Sequence, residues 1–265
     1  MTESWRRPTR ILLVAIGLLT IVFLVLPTLI VVPMGFSSSQ ILAFPPPGWS
    51  LQWYQKAFTS TAWTSGFVNS VQVAIVTAIV ATILGTLAAL GMVRGRFPGK
   101  NLVNGLILSP LIVPVLIIAI GMFALYVRWK ITGSLLGLVI AHTALAIPFV
   151  IVSVTTSLRT IDRNLELAAQ NLGADPVQTF RRITLPLILP GVLAGALFAF
   201  LTSWDEVVTA IFLTTTRFRT LPVVMWEQVR EVVDPSVAAV ATVVLVVTTT
   251  ILALAFVVRR QSPVT

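Results

Sequence analysis

The chain has 265 residues, of which 57% are hydrophobic and 10% charged, with a net charge of +9, no cysteine and one histidine, His142. A soluble domain carries about 25% charged residues, so much of this surface has lipid as its solvent. Without cysteine there are no disulfides or thiolate sites, and a single histidine excludes the usual clusters of two or three zinc-binding histidines. The positive charge lies at the ends of apolar segments and forms no basic domain, which fits membrane topology and no nucleic-acid partner.

A transmembrane helix needs about 20 apolar residues. Six stretches meet that length: 11–32, 67–92, 103–127, 133–154, 187–213 and 237–258. The first follows Arg6, Arg7 and Arg10 but is too long for a signal-peptide core and lacks a small-x-small cleavage site, so it reads as a retained helix. If the N-terminus is cytoplasmic, the inner segments hold twelve Lys and Arg residues and the outer segments six. The positive-inside rule then puts both termini in the cytoplasm. The whole chain reads as one all-α transmembrane domain, residues 1–265.

Segment 35–66 lies outside on this topology and carries Trp49, Trp53, Tyr54 and Trp63; segment 214–236, also outside, carries Trp226. These aromatics suit interfacial anchoring or a docking surface for an outer partner. Within the second span Gly85, Ala89 and Gly91 offer close-packing surface, and Asn69 and Gln72 suit interhelical hydrogen bonds. Gly99-Lys100 is no phosphate loop, because Arg94 stands at the first glycine position and Asn101 at the Ser/Thr position. Pro110, Pro114, Pro148 and Pro190 imply kinks or local breaks inside spans. His142 and Thr143 read as structural hydrogen-bond partners, and no Ser/His/Asp set is credible. The chain is expected to be non-catalytic and to bind no cofactor.

The inner loop, 155–186, leads into the stretch IDRNLELAAQNLGADPVQTFRRITLPLILP at residues 161–190. Leu165, Ala168, Ala169 and Leu172 recur at helical spacing and form one apolar stripe. Asp162 suits an N-cap, and Gly173 suits the left-handed stop. Asp175, Pro176 and Gln178 suit a second start with a capping box, feeding the fifth span. A small exposed stripe of this kind fits either an interfacial helix on lipid headgroups or a helix docked in a protein groove.

In the fifth span Asp205 and Glu206 are the only acids within any of the six stretches. An acid at mid-membrane costs about 2.5–3.5 kcal/mol. About 18 residues of helix, roughly 27 Å, separate Leu187 from Asp205, which places the pair toward the outer end. They suit an outer-interface acid that meets headgroups or Arg217, or an acidic lining for a cationic substrate. Successive helical residues differ by about 100°, so one of the two is expected to point inward. Ser203 and Trp204 belong to the same candidate pathway.

The inner loop resembles the cytoplasmic signature of ABC-importer permeases: E-A-A, three residues, G, nine residues, I-x-L-P. Ala168, Ala169, Gly173, Ile183, Leu185 and Pro186 stand at those spacings, while Leu167 replaces the acid and Glu166 lies one residue earlier. GWSLQWYQKAF, SPLIVPVLIIAIGM, LTSWDEVVTAIFL and TLPVVMWEQVREVVDPSVAA extend the resemblance over most of the chain, to the C-type permeases of spermidine/putrescine importers. Related permeases carry opines, aminoethylphosphonate or metal ions.

The resemblance implies a type I importer fold of six helices, with a coupling helix between helices four and five. It implies a bacterial inner-membrane location, a cytoplasmic ABC ATPase dimer that binds ATP and Mg, a second permease subunit and an extracytoplasmic substrate-binding protein. It also favours acids at Asp205 and Glu206 as substrate contacts. The competing expectations are an ion-coupled secondary transporter, which would call for mid-membrane ionisable groups and a repeat of broken spans, and a membrane enzyme, which would call for clustered catalytic groups.

Overall fold

The computed structural model describes residues 6–231 and 233–261, with side chains at 10–231 and 233–254. The side chains of Arg6, Arg7, Arg259 and Arg260, used above for topology, lie outside the described residues. Twelve α-helices run in chain order among the described residues: α1 Arg6–Met34, α2 Gln52–Thr59, α3 Thr61–Arg94, α4 Lys100–Leu108, α5 Val115–Trp129, α6 Leu135–Thr160, α7 Arg163–Asn171, α8 Pro176–Thr179, α9 Leu185–Trp204, α10 Val208–Leu213, α11 Leu221–Glu231 and α12 Ser236–Gln261. Among the described residues, five helical stretches are long and apolar enough to cross a membrane. The count is six if the bent pair Lys100–Leu111 and Val115–Trp129 forms one span.

That pair departs from a straight third span at 103–127. The two pieces meet at 99°, joined by a 3-10 turn at Ser109–Leu111. Pro110 sits in that turn and Pro114, with ψ 127°, caps α5. Proline has no N–H to continue a helix, and the extended ψ at Pro114 turns the chain just before α5, so two prolines four apart break the path. Pro148 and Pro190 do not: they lie inside α6 and α9, which continue past them. The fifth span also differs from 187–213. α9 ends at Trp204, and α10 starts anew at Val208. Ahead of α9, Phe180–Thr184 forms a π-helical turn. Pro186 cannot donate to the Arg182 carbonyl, and the widened turn lies just before it.

Contacts divide the chain into two units, one holding the residues up to Thr61 with Glu227–Leu252, the other holding Ala62–Trp226. In the larger unit, α6 is the central helix. Small residues Ser70, Ala74, Thr77, Ala81, Gly85 and Ala89 are buried along one stripe of α3. At Gly85 an added Cβ would lie 2.7 Å from Val150 Cβ, and at Gly195 on α9 3.1 Å from Val150 Cα. Val150 of α6 is thus seated between two glycines, where close backbone approach replaces side-chain bulk. Around it Ala81, Ala89, Ala146, Ile151, Val154, Leu158, Ile188 and Ala199 form one buried cluster. A second cluster joins Val73, Tyr126, Leu138, Ala210, Leu213 and Val223. Ser134 caps α6 by accepting from the Gly137 N–H at 3.1 Å.

In the other unit, α2 is tied to the start of α12. Lys56 Nζ donates to Asp234 Oδ2 at 2.6 Å, and its ammonium stands 5.2 Å from the centre of the Trp53 ring. Asp234 also accepts from the Ser236 N–H at 2.9 Å. Burial alone would raise the Asp234 pKa; hydrogen bonds from Lys56 and Ser236, together with the Lys56 charge, outweigh it and hold the carboxyl below its usual range. A depressed folded pKa stabilises above the unfolded value of about 3.9 and is lost as pH falls through the lower folded value. Hydrogen exchange over Gln52–Thr59, corrected for intrinsic rate, is therefore expected to stay constant from neutral pH down to about 4 and to accelerate only below it.

Candidate functional site: a capped helix between two spans and two adjacent acids

The segment between α6 and α9 folds by local rules. Asp162 caps α7 by accepting from the Asn164 N–H at 2.9 Å. The helix ends at Gly173, whose φ of 89° only glycine adopts freely. There the Ala174 N–H bonds to the Ala169 carbonyl at 3.1 Å and the Gly173 N–H to that of Gln170 at 2.9 Å, the paired bonds of a Schellman stop. Asp175 starts α8 by accepting from the Gln178 N–H at 2.8 Å, with Pro176 at the first helical position. α7 is therefore a short rigid rod with both ends fixed.

The motif residues divide by surroundings. Leu165, Leu167, Ala168 and Leu172 are exposed, Leu172 at 89%, and Ala169 is half-buried. α7 buries none of its residues. Ile183 is half-buried, Leu185 packs against the core cluster around Val150, and Pro186 is exposed. Thus the first half of the motif presents an apolar surface and the second half anchors the next span. Glu166 turns the other way, toward Arg94 at the end of α3: Arg94 Nε lies 3.0 Å from Glu166 Oε2 and Nη2 donates to Oε1 at 3.2 Å. Thr184 Oγ1 also donates to Oε1, at 2.9 Å. Neither partner is visible in the local pattern, since they lie 72 and 18 residues away.

At the far end of α9 the four candidate pathway residues have different roles. Ser203 is buried, with its Oγ 2.8 Å from His142 Nδ1. Trp204 is buried, edge-on to Phe67 at 5.7 Å and stacked on Phe200 at 5.9 Å. Asp205 and Glu206 both lie in the break between α9 and α10, Asp205 as the C-cap of α9. Glu206 accepts from the N–H groups of Val208, Thr209 and Ala210, each at 3.0 Å, and from the Thr209 hydroxyl. Its Oε2 is 3.7 Å from His142 Nε2. Asp205 is exposed at the C-terminal end of α9 and forms no salt bridge among the described residues, with Arg217 or any other cation. Of the other polar residues, Asn69 donates to the Arg219 carbonyl at 2.9 Å and serves structure.

Long apolar helices, one candidate span sharply broken, and a capped amphipathic helix between two of them are the architecture of a multi-pass membrane protein. The chain belongs to the family of binding-protein-dependent transport system inner membrane components, whose pattern matches residues 81–263. It is 36% identical over 247 residues to the putrescine transport system permease protein PotI of Escherichia coli K12, covering 91% of this chain and 86% of the relative. It is 31% identical to the spermidine/putrescine transport system permease protein PotC of Haemophilus influenzae, covering 91% and 93%. Among solved structures, a bacterial ABC transporter involved in import of the acidic polysaccharide alginate superposes over 99% of both chains, with a TM-score of 0.71 at 14% identity, which is a likeness of fold. The expected type I permease fold is therefore present, and the chain is a membrane permease of an ABC importer.

Proposed function

We propose that this permease conducts a polyamine, putrescine or spermidine, delivered by an extracytoplasmic binding protein. A separate cytoplasmic ATPase dimer binds ATP and Mg and drives the cycle, and a second, different permease chain completes the pathway. Both termini face the cytoplasm, and this chain performs no chemistry. The observation that carries the reading is α7: a rod capped at both ends, exposing Leu165, Leu167, Ala168 and Leu172 between two spans. Such a surface suits a groove in a motor subunit. The substrate reading draws on the relatives' printed substrates and on Asp205, an exposed carboxylate without a salt bridge among the described residues. It stands at the C-terminal end of a helix, where the dipole disfavours negative charge by about 0.3–1 kcal/mol. A passing ammonium would relieve both conditions.

The test is uptake into proteoliposomes holding the complete importer, with putrescine- or spermidine-loaded binding protein outside and ATP inside. Uptake that requires ATP supports the proposal; uptake driven by an ion gradient with the ATPase omitted supports a secondary transporter. A hydrogen bond to a charged group is worth roughly 1.5–3 kcal/mol, so Asp205→Asn is expected to raise the KM for polyamine about tenfold or more. Expression and thermal unfolding should remain as in the parent. Unchanged KM removes Asp205 from the pathway.

A further inference from the structure

The geometry points to Glu166 as a mechanical junction: its carboxylate fastens α7 at once to the end of α3 and to the start of α9, so that a push on α7 moves both spans together. This inference rests on the reading of α7 as the helix that an ATPase moves. It assigns Glu166, Arg94 and Thr184 as positioning residues that act through other groups and touch no substrate.

The case begins with how little else holds α7. It buries none of its own residues and rests mainly on the turn and short helix that follow it in the chain, Pro176–Thr184. An element so attached could pivot on its two connections when pushed, and the push would be lost. The Glu166 carboxylate prevents this with both oxygens. Oε2 faces Arg94 Nε at 3.0 Å, and Oε1 accepts from Arg94 Nη2 at 3.2 Å and from Thr184 Oγ1 at 2.9 Å. The Glu166 side chain is only 12% exposed and that of Arg94 24%, and Thr184 is buried. Water therefore competes weakly, and the ion pair is held in place by one hydrogen bond from each partner, Arg94 Nη2 and Thr184 Oγ1, both on Oε1.

The spans at the two ends of this junction are themselves coupled. Arg94 closes α3, whose Gly85 receives Val150 of α6; Thr184 directly precedes α9, whose Gly195 receives the same Val150 from another side. Force entering at Glu166 thus reaches two helices that grip one residue of a third. Two other roles for this acid fit less well. An acid that only complemented the dipole of α7 would stand free in water. An acid that contacted the ATPase would share the exposed face of Leu165 and Leu172, whereas Glu166 is turned inward with its oxygens occupied. The neighbouring Leu167, exposed where the family signature has its acid, leaves Glu166 as the only carboxylate on α7.

The experiment uses the complete importer in proteoliposomes, with Glu166→Ala, Arg94→Ala, Thr184→Val and the charge exchange Glu166→Arg with Arg94→Glu. The two alanine variants are expected to keep the ATPase attached through purification. Their uptake should fall at least about tenfold, with ATP consumed per substrate rising by a similar factor, because the motor turns while the spans follow poorly. Thr184→Val should show a smaller loss in the same direction. The exchange should recover uptake to within about threefold of the parent, which a purely structural loss would not do.

Spin labels at the exposed Gln170 and Arg96 supply a readout independent of transport. Their distance distribution should be narrow in the parent, with and without ATP, and broad in Glu166→Ala. Parent-like coupling or a parent-like distance distribution in Glu166→Ala overturns the inference. So does loss of the ATPase from that variant, which would place Glu166 in the motor interface. Failure of the underlying reading looks different: the ATPase would then stay bound and uptake persist when Leu165 and Leu172 are made polar.

Discussion

Changing Leu165 and Leu172 together to Gln is expected to release the ATPase and to reduce ATP-driven uptake by a factor on the order of 10² or more. Both side chains are exposed, Leu165 at 50% and Leu172 at 89%, so each has apolar area to lose on docking. Burying a leucine contributes about 1.5–3 kcal/mol, and a glutamine in the same groove must also find partners for its amide or remain unsatisfied. The folding of α7 should be untouched. Asp162 and Asp175 do the capping, Gly173 makes the stop, and Glu166 holds the rod to α3. Co-purification with the ATPase measures the first effect and proteoliposome uptake the second, with thermal unfolding of the isolated permease as the control. Retention of the motor at parent affinity would remove α7 from the interface and with it the route by which ATP energy reaches the spans.

What the sequence revealed and what it hid follow from the range of the interactions. The caps at Asp162, Gly173 and Asp175 were legible because each bonds within two to five residues, so residue type and spacing carry the whole signal. The spans were legible from apolar length. Their breaks were only partly so. Pro110 and Pro114 announced the 99° bend, but Pro148 and Pro190 have the same composition signal and sit in continuous helices. Whether a proline breaks a helix depends on whether neighbours hold the chain on course, and α6 and α9 are packed against each other along much of their length. The interruption after Trp204 has neither proline nor glycine to mark it. Its only local sign is the pair of acids, which costs too much inside an apolar helix to be accidental. The long-range polar pairs left no trace: Arg94 reads as a topology charge until Glu166, 72 residues on, is placed beside it. His142 likewise reads as a lone histidine until Ser203, 61 residues on, is found at 2.8 Å. Reading Asp205 and Glu206 as alternatives on one helix gave way to two carboxylates inside a break, Asp205 at the C-cap of α9 and Glu206 bound to the first N–H groups of α10.

That separation carries the second large prediction. Glu206→Ala is expected to destabilise the permease by about 3 kcal/mol or more, whereas Asp205→Asn changes transport and leaves stability alone. The Glu206 carboxylate takes the free N–H groups of Val208, Thr209 and Ala210, together with the Thr209 hydroxyl. Thr209 and Ala210 are fully buried, and Ala210 belongs to the core cluster of Tyr126 and Leu138. Alanine would leave these donors in an apolar setting, at about 1–3 kcal/mol for each one water does not reach. It would also remove the charge beside His142, which holds Ser203 at the end of α9. Against a total stability of about 5–15 kcal/mol, a loss of that size lowers the amount of folded protein before any question of transport arises. Glu206→Gln is the graded case, since one oxygen can still accept while the amide NH₂ now faces donors, and it should fall between parent and alanine. Thermal unfolding in detergent and yield in the membrane measure this; polyamine KM, measured on the folded fraction, should move with Asp205 and not with Glu206. If Glu206→Ala is as stable as the parent while its KM rises, the two acids have been assigned the wrong way round, and the break between α9 and α10 would be a binding feature held open by Glu206 rather than a fold feature closed by it.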